Sequence, residues 1–271
     1  FCPTLNYTAD TEVGLVAEYI RSRAPKKIGY AGKAFLNAQL MRSLLASFPQ
    51  VEFVDVTNEL DQIKAIKSDE EMQCMRETAR IHDQLWAALP AIIKPGVLEY
   101  QMRAEVMQLL MDMGSEEHLL FMGTAEPNKP CGMPTFQYAN RVMKEGDYGV
   151  LLVEVSGPGG YYCESARNYC FGEPYPKLAA AWKVCVDSQK VAADLLVPGT
   201  PSIEIVKAYN KYVSERGYCK EGRLFGHSQG YDLVERPAFM SEDERGQEDM
   251  IIQEGMCCSL HPYLTDDFQT T

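Results

Sequence analysis

The sequence predicts an α/β (α+β) fold of two pseudo-symmetric halves, preceded by part of a separate α/β module. Helical periodicities alternate with short apolar strands along the chain. A helix-pair pattern then returns with the same punctuation, since Pro95 to Gly114 and Pro198 to Gly217 are both 19 residues apart. Each copy passes through an apolar strand (Leu119 to Met122; Leu224-Phe225) and reaches a Glu-Gly turn before a second strand (Glu145-Gly146; Glu254-Gly255). A solenoid needs at least three shorter units, so two long copies read as halves sharing one sheet, with the site between them.

Residues 1 to 60 contain too little to close a domain. Thr11 to Ser22 and Phe35 to Phe48 carry helical spacing, and Lys27 to Tyr30 and Val51 to Val56 read as strands. This segment is expected to be the end of a module whose earlier strands lie outside the chain, and residues 61 to 271 to be the principal domain. There Ser68 and Glu71 form a capping box, and Met72, Met75, Ala79, His82, Trp86 and Leu89 mark one helical face that Pro90 should stop. The second helix follows Pro95-Gly96, with Gly114 as its C′ residue. In the second half a helix over Leu178 to Leu196 precedes one carrying Ile203, Val206 and Val213.

Composition narrows the function classes. The 271 residues include 26 Lys and Arg against 38 Asp and Glu, a formal charge of −12, which disfavours the basic face that nucleic acid needs. The longest apolar run is far short of the roughly 20 residues that span a bilayer. Nine cysteines, an odd set without a C-x-x-C pair, argue against a disulfide framework or zinc ribbon and point to a cytoplasmic protein. The first residue is Phe, with no signal peptide following it, so the native start is expected elsewhere.

The chemistry-bearing residues gather around a hairpin. Tyr148 to Val155 and Tyr161 to Phe171 read as strands joined at Ser156 to Gly160, and symmetry about Gly159 sets Glu154 opposite Glu164. Opposed like charges are destabilising unless a cation, a shared proton or a nearby Arg such as Arg167 offsets them. His82 lies on an apolar helical stripe and reads as a hydrogen-bonded core histidine, while His118, after Glu116-Glu117, reads as solvated. His227 sits among small residues in Gly226-His227-Ser228-Gln229-Gly230, and His261 falls in the corresponding strand of the second half. If the halves converge, Glu154, Glu164, His227 and His261 form a set that suits a divalent transition metal.

Several of these segments resemble the pita-bread family, which includes aminopeptidase P, prolidase, methionine aminopeptidase and creatinase. The resemblance rests on Ile63 to Ser68 with Glu71, Pro95-Gly96, Glu145-Gly146-Asp147, the Gly160-Tyr161 hairpin with Arg167, Gly226-His227, Glu235 with Pro237, and Gly255-Met256. It covers residues 60 to 268 and likens the preceding segment to the end of a creatinase-type N-terminal domain. It implies two pseudo-twofold halves, a homodimer, and a site of two Asp, one His and two Glu holding two metal ions.

The chain departs from that set. Glu154 and Glu164 stand where the Asp pair should be, His227 matches the metal His, His261 takes the first Glu position, and the second Glu would lie beyond Thr271. Val234 occupies a position seven residues past His227 where the resemblance implies a substrate-side His, and an earlier His falls at Thr135 or Phe136. The expectation is a pita-bread hydrolase of the Xaa-Pro aminopeptidase or creatinase type acting on a small C–N bonded substrate or short peptide. Its altered site takes one divalent metal (manganese, zinc or iron) or none. His227, Glu154 and Glu164 would be catalytic, with Arg167, Tyr162, Glu235 and Arg236 on the substrate side. The alternatives are a catalytically inactive binding module and a lyase on the same scaffold.

Overall fold

The structure, a computed structural model, describes residues 9–32, 36–132, 141–222, 224–240, 249–265 and 269–270. The chain divides into two compact units, Phe1–Ile63 and Lys64–Thr271. In the first, helices α1 (Ala9–Arg23) and α2 (Ala38–Ser47) accompany the parallel strands β1 (Lys27–Tyr30) and β2 (Glu52–Asp55). Ala17, Ile20, Leu44 and Phe48 form its core. Helix α3 (Thr57–Ala65), to which the sequence reading assigned no element, follows β2.

The second unit repeats one arrangement twice. Helices α4 (Asp69–Ile92) and α5 (Glu99–Asp112) precede strands β3 (His118–Ala125), β4 (Tyr148–Ser156) and β5 (Tyr162–Cys170), which form an antiparallel sheet in that order. Helices α6 (Pro176–Ala193) and α7 (Ser202–Ser214) then precede β6 (Gly226–Ser228), β7 (Glu235–Phe239) and β8 (Cys258–Leu260), ordered β7-β6-β8. The repetition extends to single hydrogen bonds. Gly96 N donates to Met143 O at 2.8 Å and Gly199 N to Ile252 O at 2.9 Å, while Glu99 N donates to Arg141 O and Ser202 N to Met250 O. Gly96 and Gly199 both have positive φ, 88° and 98°, a conformation that glycine adopts without penalty.

Each half buries its own core. Leu85, Met102, Val106, Leu110 and Leu151 fill the first, and Ile205, Tyr209, Val213, Phe225 and Phe239 the second. Among the described residues the halves carry two separate three-stranded sheets rather than the single shared sheet expected, and β5 and β8 approach each other across the gap. Three local expectations also change. Pro90 does not stop α4, which continues to Ile92, because a proline one turn from the end forfeits only one ladder bond. His118 is part-buried at the start of β3, close to Ser115, rather than solvated in a loop. The second-half strand begins at Gly226, beyond Leu224-Phe225.

Two interactions brace this unit around its centre. Just before α4, Lys67 places Nζ 2.7 Å from Glu235 Oε2 on β7 and donates to Ser228 Oγ at 3.2 Å, with side-chain exposures of 1% and 3% for the ion pair. The pair packs on the bare Cα of Gly230, where a Cβ would stand 2.8 Å from the Glu235 carboxylate. From α4, buried His82 places Nδ1 2.6 Å from Ser165 Oγ and Nε2 3.0 Å from Cys163 O on β5. Burial pushes the His82 imidazole down to about 4.

Lys67→Ala leaves the buried Glu235 carboxylate with only the more distant Lys64 ammonium, 3.5 Å from Oε1, and is expected to cost at most roughly 3–5 kcal/mol. Trp86 and Trp182, the only tryptophans, both lie in the second unit, so urea unfolding followed by their fluorescence reads that loss directly. The second expectation concerns pH. Unfolded, position 82 takes up a proton near pH 6.5, whereas the folded imidazole resists until about 4. His82 therefore contributes stability that is complete above 6.5 and drains as pH falls toward 4. Over that window wild type should lose up to about 1.4 kcal/mol per pH unit more than His82→Phe, and parallel pH profiles would refute the assignment.

Candidate metal centre

The hairpin register is set by its turn. Pro158 to Gly160 form one tight helical turn in which Gly159 and Gly160 have φ of 80° and 79°, and the ladder then pairs Ser156 with Tyr162 and Glu154 with Glu164. Because side chains alternate along a strand, Glu164, Ala166 and Asn168 share one face of β5, while Cys163, Ser165 and Arg167 share the other. Strand β6 supplies His227, and His261 immediately follows β8.

These elements bring three of the four expected ligands together. His227 Nε2 lies 3.2 Å from Glu164 Oε2, His261 Nε2 lies 3.8 Å from Glu164 Oε1, and the two imidazole centroids are 5.2 Å apart. One ligand atom from each of Glu164, His227 and His261 falls within 4.8 Å of the others, and Glu154 stands outside that group. Side-chain exposures are 2% for Glu164, 4% for His227 and 15% for His261. Gln229 donates to Glu164 Oε2 at 3.3 Å.

Hydrogen bonding shows that the set fits a cation. His227 Nδ1 lies 3.0 Å from the Ser228 carbonyl oxygen, which can only accept, so Nδ1 carries the hydrogen and the Nε2 lone pair faces Glu164. A lone pair 3.2 Å from a carboxylate oxygen is repulsive unless a proton or a metal ion stands between them. A carbonyl fixing the far nitrogen of a metal-binding imidazole is the usual outer-shell arrangement, and one carboxylate with two imidazoles suits zinc or iron(II).

Electrostatics follow the same geometry. Burial and the charge of Glu164 push Glu154 up to about 8. Burial also disfavours charge on Glu164, but the His227 hydrogen bond and the charges of His261 and His227 overcome it, leaving Glu164 below its ordinary range. Burial lowers His227, and its bond to Glu164 more than restores it, so its imidazole is raised.

The substrate-side residues divide. Arg167 is exposed, stacks 5.1 Å over the Trp86 ring, and lines a cavity of about 820 Å³ that Glu164 and His261 also line. The Tyr162 hydroxyl donates to the Glu117 carboxylate instead. Both Glu235 oxygens are engaged, one by Lys67 and the other by the Asp232 amide at 3.0 Å. Arg236 lies half-buried on β7 beside the bulge between His227 and Ser228, and Val234 is 51% exposed. Thr135 and Phe136 lie outside the described residues. Sequence reasoning missed Lys67 and Ser228 as supports, and it read His82 as a hydrogen-bonded core histidine without naming the strand it holds. For Lys67 the quoted Ile63 to Ser68 run was the available signal, though nothing in it names the partner.

Paired helix-and-sheet halves around a buried carboxylate and two imidazoles define a two-half α/β protein with a centre that fits a metal ion. Residues 73–269 match metallopeptidase family M24, and the chain belongs to that family. It is 25% identical to the probable dipeptidase PepE of Mycobacterium bovis, over 76% of this chain and 53% of that protein. It is 26% identical to the Xaa-Pro dipeptidase of Lactobacillus delbrueckii subsp. lactis, over 97% and 75% of the respective lengths. The solved Xaa-Pro dipeptidase of Bacillus anthracis superposes with a TM-score of 0.79 at 21% identity, covering 94% of this chain and 70% of that one, which establishes the pita-bread fold. The chain spans about half the length of the mycobacterial relative.

Proposed function

We propose that the chain is a hydrolase of the Xaa-Pro peptidase type, cleaving a C–N bond in a short peptide or amide-like substrate with one divalent ion on Glu164, His227 and His261. The observation that carries this reading is the convergence of those three ligand atoms within 4.8 Å in a member of metallopeptidase family M24. Support also comes from likeness to a protein named Xaa-Pro dipeptidase. A two-ion centre would need carboxylates spanning ions about 3.5–4 Å apart, and an imidazole at 261 binds one ion only. A homodimer in a reducing cytoplasm belongs to the same proposal.

When bound, the ion supplies a water of lowered pKa and polarises the scissile carbonyl. Glu154, opposite Glu164 and raised to about 8, holds a proton at neutral pH. It passes that proton to the leaving nitrogen as the C–N bond breaks, while the hydroxyl of water joins the carbonyl carbon. Water's remaining proton restores Glu154. Arg167, at the rim of the cavity, takes a substrate carboxylate. The second reading, a binding module without turnover, draws on exposed Val234 at the position where the resemblance implies a substrate-side His.

The test is to strip the protein, reload it with manganese, zinc or iron(II), count ions by elemental analysis and assay a series of Xaa-Pro dipeptides. One tight equivalent with turnover is expected. Glu154→Gln should lower kcat by about 10²–10⁴-fold with the ion retained, whereas His227→Ala should lose both ion and turnover. Two tight equivalents would overturn the one-metal reading, and one equivalent with no turnover would favour the binding module.

A further inference from the structure

We propose that His82 is a positioning residue for Glu164, gripping from the back of the sheet the two residues that flank it. Its two ring-nitrogen contacts go to the residues on either side of Glu164, while the Glu164 charge reaches it only through space. Its Nε2 meets the carbonyl oxygen of Cys163, which belongs to the peptide unit leading into Glu164, and its Nδ1 meets the hydroxyl of Ser165, the residue after it.

The proton arrangement is fully determined. A carbonyl only accepts, so Nε2 carries the imidazole hydrogen and Nδ1 must accept. The Ser165 hydroxyl therefore donates to Nδ1, leaving its oxygen to accept the indole N–H of Trp86 at 2.8 Å. The chain Trp86 to Ser165 to His82 to Cys163 uses each hydrogen once, and reversing any link breaks the next. Both anchoring side chains come from α4, a helix of 24 residues whose start is pinned by the Ser68 and Glu71 capping box.

The placement matters because β5 carries its chemistry on the opposite face. Odd-numbered Cys163 and Ser165 face α4, so fixing them fixes the Cα and Cβ direction of Glu164 between them. The Glu164 carboxylate must reach imidazoles on β6 and beyond β8, and it does so from an outer strand of its own sheet. Outer hydrogen-bonding partners of metal ligands commonly change metal affinity by about 10–100-fold when removed.

The inference rests on the one-metal reading, and two measurements separate them. Cobalt(II) serves as the probe, read by calorimetry and by its visible absorption. His82→Phe, which keeps the shape and removes both bonds, should weaken cobalt binding about 10–100-fold and alter the absorption spectrum. In His82→Gln the amide nitrogen donates to Cys163 and the amide oxygen accepts from Ser165, so binding should stay within about threefold of wild type. Amide hydrogen exchange of the metal-free protein is independent of any ion. His82→Phe should speed exchange at Ser165 about tenfold relative to Tyr169 on the same strand, and His82→Gln should not. If wild type takes no cobalt, the metal reading falls and the exchange result alone decides the positioning role. Wild-type exchange at Ser165 in folded His82→Phe would overturn it, as would wild-type cobalt affinity and spectrum.

Discussion

A carboxylate that is almost wholly buried must be given positive charge, and the second unit is organised around meeting that demand at Glu164. An ionised carboxylate removed from water without compensation costs far more than a domain's net stability. Glu164 receives two imidazoles, one from each of two segments of the second half, and an amide from Gln229. Its hairpin neighbour Glu154 adds a like charge and is driven to keep its proton. One buried charge therefore accounts for the convergence of the two halves and for the split in character between two glutamates that share a register.

Strand β5 divides labour between its faces. One face presents Glu164 to the imidazoles, while the other is tied to α4 through Cys163, Ser165 and the Arg167–Trp86 stack. Lys67 performs a corresponding task for the second half, anchoring Glu235 and Ser228 beside His227. Helix α4 and the residue preceding its cap thus brace both sides of the centre. This explains why a buried ion pair persists in a place where well-packed apolar residues would often serve stability equally well.

The hairpin was legible in the sequence because its turn is local: a glycine cluster symmetric about Gly159 decides the pairing of Glu154 with Glu164 without help from the rest of the fold. The repeat was legible for a similar reason, since Pro-Gly and terminal glycines mark backbone conformations that other residues resist. What could not be read is what depends on distant partners. Lys67 and Glu235 lie 168 positions apart, and no pattern near either names the other. The separation of the two sheets, the engagement of Glu235 away from the cavity and the exclusion of Glu154 from the ligand group are likewise settled by tertiary packing. His82 was readable as a core histidine from its place on an apolar stripe, but not the strand it grips.

The order in which the centre's residues occur along the chain has a consequence for biosynthesis. Both glutamates leave the ribosome before either imidazole, and chains are made at about 5–20 residues per second. For several seconds the first half holds opposed carboxylates with nothing to neutralise them, so its hairpin closes with its charges protonated, hydrated or apart. The segment carrying His227 and His261 supplies the missing charge only when the later half arrives. The buried charge at Glu164 therefore finds its imidazole partners only after the later half has been made.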